Sequence, residues 1–168
     1  MNLRTELLKE HSVIQAIRIS SWAVQNKEHL KELMEIFFST EPRIAQRAAW
    51  AASKAYELKP EWFSVYILKL IRISGKPVHD GIRRNSLRIL QSMDIPKKYE
   101  GEMLDIAFQM LADPKAAIAI KAFAMTIAFN LVKTYPELKS ELKILIEDQL
   151  PYATAAIKSR ANKILKKL

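Results

Sequence analysis

Apolar and polar residues recur with helical periodicity along the whole chain, and prolines divide that pattern into segments of similar length. Proline is tolerated in the first turn of a helix and breaks a helix interior, so each proline indicates the start of a new helix. No segment has the strict alternation that is typical of a half-buried β-strand. The pattern therefore predicts an all-α protein. The prolines lie 15 to 22 residues apart, at Pro42, Pro60, Pro77, Pro96, Pro114, Pro136 and Pro151.

The periodicity and the prolines together predict ten helices, and the connections between consecutive helices are short. Short connections make consecutive helices pack in opposite directions, so the ten helices form five antiparallel pairs. Two proline intervals span about 37 residues, which is in the length range of helix-pair repeats. The predicted helices are Leu3–Glu10, Ser12–Gln25, His29–Ser39, Pro42–Leu58, Glu61–Ser74, Val78–Met93, Lys97–Leu111, Pro114–Lys133, Glu137–Gln149 and Pro151–Lys167.

The segment from Asp113 to Lys133 is apolar on nearly every side. A helix of this kind must be covered on nearly every side, so we expect it to be an inner helix with neighbours on both flanks. Lys121 is the exception, because it lies alone among alanines, opposite the other polar residues of the segment. The apolar run from Ala116 to Val132 is too short for a membrane span and contains Lys121, so no membrane-spanning segment is predicted.

The second helix of each predicted pair carries a basic residue about two turns from its start, with small residues beside it. This series consists of Arg18, Arg47, Arg84, Lys121 and Arg160. The fourth pair has the fullest pattern, an Asp-Pro turn followed by aliphatic, basic and small residues: Asp113, Pro114, Ile118, Lys121, Ala122 and Leu131. The second pair repeats the pattern, with Glu41 where the aspartate would stand, in Pro42, Ile44, Arg47, Ala48 and Ala52.

These residues make the chain resemble the HEAT repeats, which are helix-pair units of α-solenoids. The resemblance covers essentially the whole chain. It implies a right-handed α-α superhelix, a HEAT/ARM-like solenoid of about five antiparallel helix pairs, in which the second helices line a concave face that usually binds macromolecules. The corresponding prediction is a single domain, 1–168, with repeats at about 1–26, 27–59, 60–94, 95–134 and 135–168.

Composition narrows the class of protein further. The chain has no cysteine, which excludes disulfides and thiolate metal sites and favours a reducing, cytoplasmic location. The three histidines lie far apart along the chain and form no metal-binding spacing, so we interpret them as isolated surface or loop residues. No nucleophile–base pattern and no phosphate-binding glycine loop is present. We therefore expect no enzyme activity, no cofactor, no metal and no small-molecule substrate.

Because the formal net charge is +9, we consider the polar faces of the second helices as candidate binding surfaces. Residues spaced by three or four positions share a helix face, and in parallel repeats these faces would form one basic, tryptophan-containing concave surface. The candidate binding face comprises Arg18, Trp22, Arg43, Arg47, Trp50, Lys54, Asp80, Arg84 and Arg88. The basic series has an alternative interpretation, in which each member bonds an acidic or carbonyl group of the neighbouring repeat. Lys121 favours that structural role, and both interpretations remain open at this point.

The leading functional prediction is a non-enzymatic module that binds a protein partner through this face, with tryptophan and arginine as anchors. The alternative is a nucleic-acid-binding protein, because arginines can hold phosphates while indoles stack on bases. A HEAT-like DNA glycosylase is a remote third possibility. Those enzymes are longer, and their catalytic acid matches no position here. Asp80 is the aspartate that most obviously lies on the candidate binding face.

Overall fold

The computed structural model describes residues 1–168, which form ten α-helices and no β-strand. The prediction of an all-α chain of about five helix pairs is confirmed. The helices group into two compact units, Met1–Met93 and Asp94–Leu168. The division lies at the predicted boundary between the third and fourth repeats, and the assignment of one domain to the whole chain stays a prediction.

The first unit contains six helices, and local capping accounts for the starts of some of them. Three of them begin behind a polar side chain that accepts a hydrogen bond from a backbone N–H of the first turn, at 2.8–3.1 Å: Asn2 in α1, Ser12 in α2 and Asn26 in α3. Such caps satisfy N–H groups that have no partner inside the helix. The helices are α1 (Leu3–Lys9), α2 (Val13–Ala23), α3 (Lys27–Phe37), α4 (Pro42–Leu58), α5 (Ile67–Ser74) and α6 (Asp80–Leu90).

The central helix of the first unit is α4, which packs against α2, α3 and α6. Its buried side is built largely of alanines, all without solvent exposure, which lets three neighbouring helices approach closely. As a result the second helices α2, α4 and α6 lie side by side. Their polar sides are left on one face of the unit, while α3 and α5 pack against α4 and α6 respectively.

The second unit contains α7 (Lys97–Ala112), α8 (Ile118–Val132), α9 (Lys139–Glu147) and α10 (Ala155–Leu165). Helix α8 packs against all three of the others, as its all-round apolarity predicts. Arg160 of α10 ties the last two pairs together. Its Nη1 donates to Ala122 O at 3.1 Å and to Thr126 Oγ1 at 2.8 Å on α8, a bond of the kind that the structural interpretation of the basic series requires.

The prolines mark the helix starts less closely than predicted. Only Pro42 is the first residue of an α-helix. Prolines 60 and 136 begin short 3₁₀ turns, Pro151 is the second residue of another, and those at 77, 96 and 114 precede the helix. The predicted start at Pro114 is wrong, because α8 begins at Ile118. The Asp113 carboxylate accepts a hydrogen bond from Lys115 N–H at 2.8 Å, and this local turn competes with a helical turn.

Candidate binding surface

The nine residues of the predicted binding face lie on α2, α4 and α6 or at their starts, and none of them is fully buried. Within the first unit these three helices are adjacent, so tertiary packing brings their polar sides together. The neighbours of each side chain then decide whether it is free to bind a ligand. By this criterion the nine residues fall into two groups.

Two of the residues on α2 are engaged with other groups of the unit. Arg18 Nη1 lies 3.0 Å from Glu6 Oε2, and Gln15 Nε2 donates to the same carboxylate oxygen at 3.0 Å. The Gln15 hydrogen bond, together with the charge of Arg18, holds the pKa of Glu6 below its usual value. Trp22 stacks on His29 with ring centroids 4.1 Å apart and planes inclined by 15°. One face of this indole is therefore already covered.

Three further residues are also paired. Glu57 bridges α4 and α6, because Lys54 Nζ lies 2.9 Å from its Oε2 and Arg88 Nη2 donates to its Oε1 at 2.8 Å. Partial burial acts to raise the pKa of Glu57, but the two cations outweigh it and the pKa is lowered. Asp80 is exposed, with its carboxylate 3.7 Å from Arg83 Nη1. The sequence prediction did not include Glu57, although this residue continues the face of α4 one turn beyond Lys54.

Arg47 has a structural bond as well as a place in the face. Its Nη1 donates to Leu7 O at 2.8 Å, so it satisfies a carbonyl in the last turn of α1 and joins the first two repeats. Its Nε is buried and has no hydrogen-bond partner. Arg43, one turn earlier on α4, is exposed and forms no hydrogen bond or ion pair. The basic series is therefore structural at Arg47 and Arg160.

Basic side chains lie near His11, which contacts Trp50, and we call this group the basic cluster. His11, in the loop between α1 and α2, meets Trp50 edge-on with ring centroids 5.2 Å apart. His79 precedes α6, where its Nδ1 accepts a hydrogen bond from Gly81 N–H at 3.0 Å. Arg84, one turn further along α6, is exposed and forms no hydrogen bond or ion pair. The basic cluster consists of His11, Arg47, Trp50, His79 and Arg84.

The basic groups near His11 change the pKa of its imidazole. Partial desolvation lowers the pKa of its imidazole below 6.5, and the charges of Arg47, Arg84 and His79 lower it further. His11 and His79 are exposed and lie outside the helices, as interpreted from the sequence, yet the charge of His79 reaches His11. They are 68 positions apart in sequence, and the packing of α2 and α6 against α4 brings their charges within range of each other. No local spacing in the sequence signals this pair.

Acidification is expected to destabilise the first unit through His11. A histidine in the unfolded chain titrates near 6.5, whereas the pKa of His11 in the folded protein is lower. The unfolded state therefore takes up a proton first, and this part of the stability is lost as the pH falls through 6.5 towards the folded-state pKa. Urea unfolding of the wild type and of His11→Gln at about pH 7.5 and 5.5 measures the effect. The prediction fails if both proteins lose the same free energy of unfolding on acidification.

Lys121 does not take part in the structural bonding of the basic series. It is half-buried on α8, yet it forms no hydrogen bond or ion pair. The structural role expected for Lys121 is therefore wrong, because no carbonyl or acidic group of a neighbouring repeat accepts a hydrogen bond from it, and the residue lines a cavity.

Nothing in the arrangement supplies a metal site, since no three histidine or acidic side chains converge. No helix is both long and apolar enough to cross a membrane. The face consists of six cations, two of them unpaired, with others held by carboxylates or a carbonyl, together with two indoles and the carboxylate of Asp80. Such a face can bind an anionic group beside an aromatic ring.

Comparison with known proteins identifies the repeat. A family model of the HEAT repeat domain matches residues 3–168. No curated protein and no solved structure matches the chain. HEAT repeats are generally non-enzymatic scaffolds that mediate protein interactions. Because the match spans nearly all of a chain that is built of about five helix pairs, the protein belongs to the HEAT repeat family.

Proposed function

We propose that the protein is a non-enzymatic module that binds an acidic segment of a protein partner through the polar face of α2, α4 and α6, with the basic cluster as its anchor. The observation that carries the proposal is Arg84, an exposed guanidinium without an ion pair beside three other basic groups. A carboxylate or phosphate on the partner would pair with this guanidinium, which has no anionic partner within the chain. A cytoplasmic location, proposed from the absence of cysteine, belongs to the same hypothesis.

The surroundings of the face favour a protein partner over nucleic acid. Glu6 and Glu57 lie among its cations and would repel a continuous phosphate backbone. Stacking on bases needs open aromatic faces, but Trp22 is already stacked on His29. A short acidic segment can place its charges at the basic cluster and avoid both carboxylates. Asp80 is poorly suited as a catalytic acid of a glycosylase, because it is exposed and near Arg83.

Fluorescence anisotropy can separate the two partner classes. The titrated ligands are a labelled glutamate- and leucine-rich peptide, a single-stranded DNA and an RNA of matched net charge, at about 50 and 200 mM salt. We expect the peptide to bind and the nucleic acids to bind more weakly. Tighter binding of DNA or RNA, with affinity that falls steeply with salt, would support the nucleic-acid alternative. Flat titrations for all three ligands at low salt would remove the basic cluster as an anion site.

A further inference from the structure

A cavity of about 650 Å³ lies in the second unit, and none of its lining residues belongs to the proposed protein-binding face. It is formed by the ends of α7 and α9, the turn before α8 and the starts of α8 and α10. Its volume is within the range of small-molecule pockets, about 300–1,000 Å³. The cavity is lined by Leu111, Ala112, Pro114, Ala116, Ile118, Lys121, Leu145, Asp148, Gln149, Tyr152, Ala153 and Ile157.

The walls of this cavity are mostly apolar, and some of that surface is open to solvent. The side chain of Ile118 is 54% exposed and that of Tyr152 is 91% exposed. Leu111 is buried, and its backbone carbonyl accepts a hydrogen bond from Gln149 Nε2 at 3.1 Å. The same amide nitrogen donates to Leu145 O at 2.8 Å, so Gln149 fixes the wall instead of offering a free donor.

Two charged groups remain, and they differ in their surroundings. Asp148 is exposed, so water screens its carboxylate. Lys121 is half-buried among the apolar walls and forms no hydrogen bond or ion pair, whereas Arg47 and Arg160 of the same basic series are bonded to neighbouring repeats. A lysine ammonium without a partner beside an apolar surface gains from an anion placed next to it.

We propose that this cavity is a binding site for a small amphipathic carboxylate, a compound with an alkyl or aromatic body and one carboxylate group. The body would replace water along Leu111, Ile118 and Ile157, and the carboxylate would pair with Lys121 Nζ. The screened charge of Asp148 at an exposed position opposes such an anion less than Lys121 attracts it. This site is independent of the proposed protein-binding face, because it lies in the other unit and uses none of its residues.

Binding of decanoate tests the proposal on the full chain. Titration calorimetry is carried out below the concentration at which decanoate forms micelles, with decanol as the matched neutral ligand. We expect decanoate to bind at least about tenfold more tightly than decanol, because the alcohol retains the apolar contact but lacks the charge. Equal affinity of the two ligands, or no binding of either, would overturn the assignment of the ligand class.

Three variants locate the site. Lys121→Met keeps an apolar stem and removes the charge, so it is expected to reduce the preference for decanoate to about that for decanol. Lys115→Met, an exposed neighbour outside the cavity, removes the same charge and should leave binding unchanged. Ala153→Trp should fill the cavity and abolish binding of both ligands, with circular dichroism showing that the helices are retained. Decanoate binding that is unaffected by Lys121→Met and Ala153→Trp would contradict the proposal.

Discussion

Replacing Arg84 with glutamate is expected to weaken binding of an acidic partner by at least about tenfold, which corresponds to ~1.4 kcal/mol. Arg84 is exposed and has no partner in the free protein, so its replacement removes no bond that holds the fold. The new carboxylate would repel the partner's charges where the guanidinium attracted them, and opposing like charges cost more than the loss of one exposed pair. The measurement is peptide anisotropy at low and physiological salt.

A matched control is available on α3. Lys31 is exposed, forms no hydrogen bond or ion pair, and lies outside the second-helix layer, so Lys31→Glu changes the net charge of the protein by the same amount. We expect Lys31→Glu to bind nearly as well as the wild type. If the two variants weaken binding equally, the effect comes from the overall positive charge, and the basic cluster is not the anchor. Capture from a cell extract with the same pair of variants extends the test to natural partners.

Truncation of Phe63 to alanine is expected to lower the free energy of unfolding by about 3–5 kcal/mol. The ring is completely buried and meets Tyr56 edge-on, with ring centroids 5.3 Å apart. It lies between the two 3₁₀ turns Pro60–Trp62 and Ser64–Tyr66, which carry the chain from α4 into α5. Its removal would leave a cavity beside α4, the helix on which the first unit is assembled, and such a cavity cannot be filled without moving that connection.

Val65→Ala is the control for this substitution, because Val65 belongs to the second of these turns but is 77% exposed. Its free energy of unfolding should stay within about 0.5 kcal/mol of the wild type. Urea denaturation followed by circular dichroism compares the three proteins. A loss below about 1 kcal/mol for Phe63→Ala would mean that the neighbouring helices collapse into the space, and the connection would then be less rigid than its packing indicates.

Helix number and pairing were accessible from the sequence because both depend on local features. The spacing of apolar residues predicts which side of each helix is buried, and α8 packs against α7, α9 and α10 as its apolarity required. The residues at which helices start were harder to predict from the sequence. At Asp113 the side-chain bond to Lys115 N–H delays α8, and the position of a proline does not reveal such a bond.

The candidate face, too, was only partly predictable from the sequence. Helical spacing alone places Arg47, Trp50 and Lys54 on one side of α4. It cannot show that Glu57 joins Lys54 to Arg88, or that Trp22 is covered by His29, because those partners depend on the packing of neighbouring elements. The free cations of the face are therefore fewer than its sequence suggests.

The sequence by itself determined that this protein is a row of helix pairs of the HEAT type, because periodicity, turns and small residues act within one repeat. Only the tertiary structure decided which basic side chains are neutralised and which are not. The charge of His79 reaches His11 from another repeat, and Lys121 lines a cavity whose walls come from the stretches 111–121 and 145–157. Charges interact through space, so their free energies depend on distances that the order of residues along the chain does not specify.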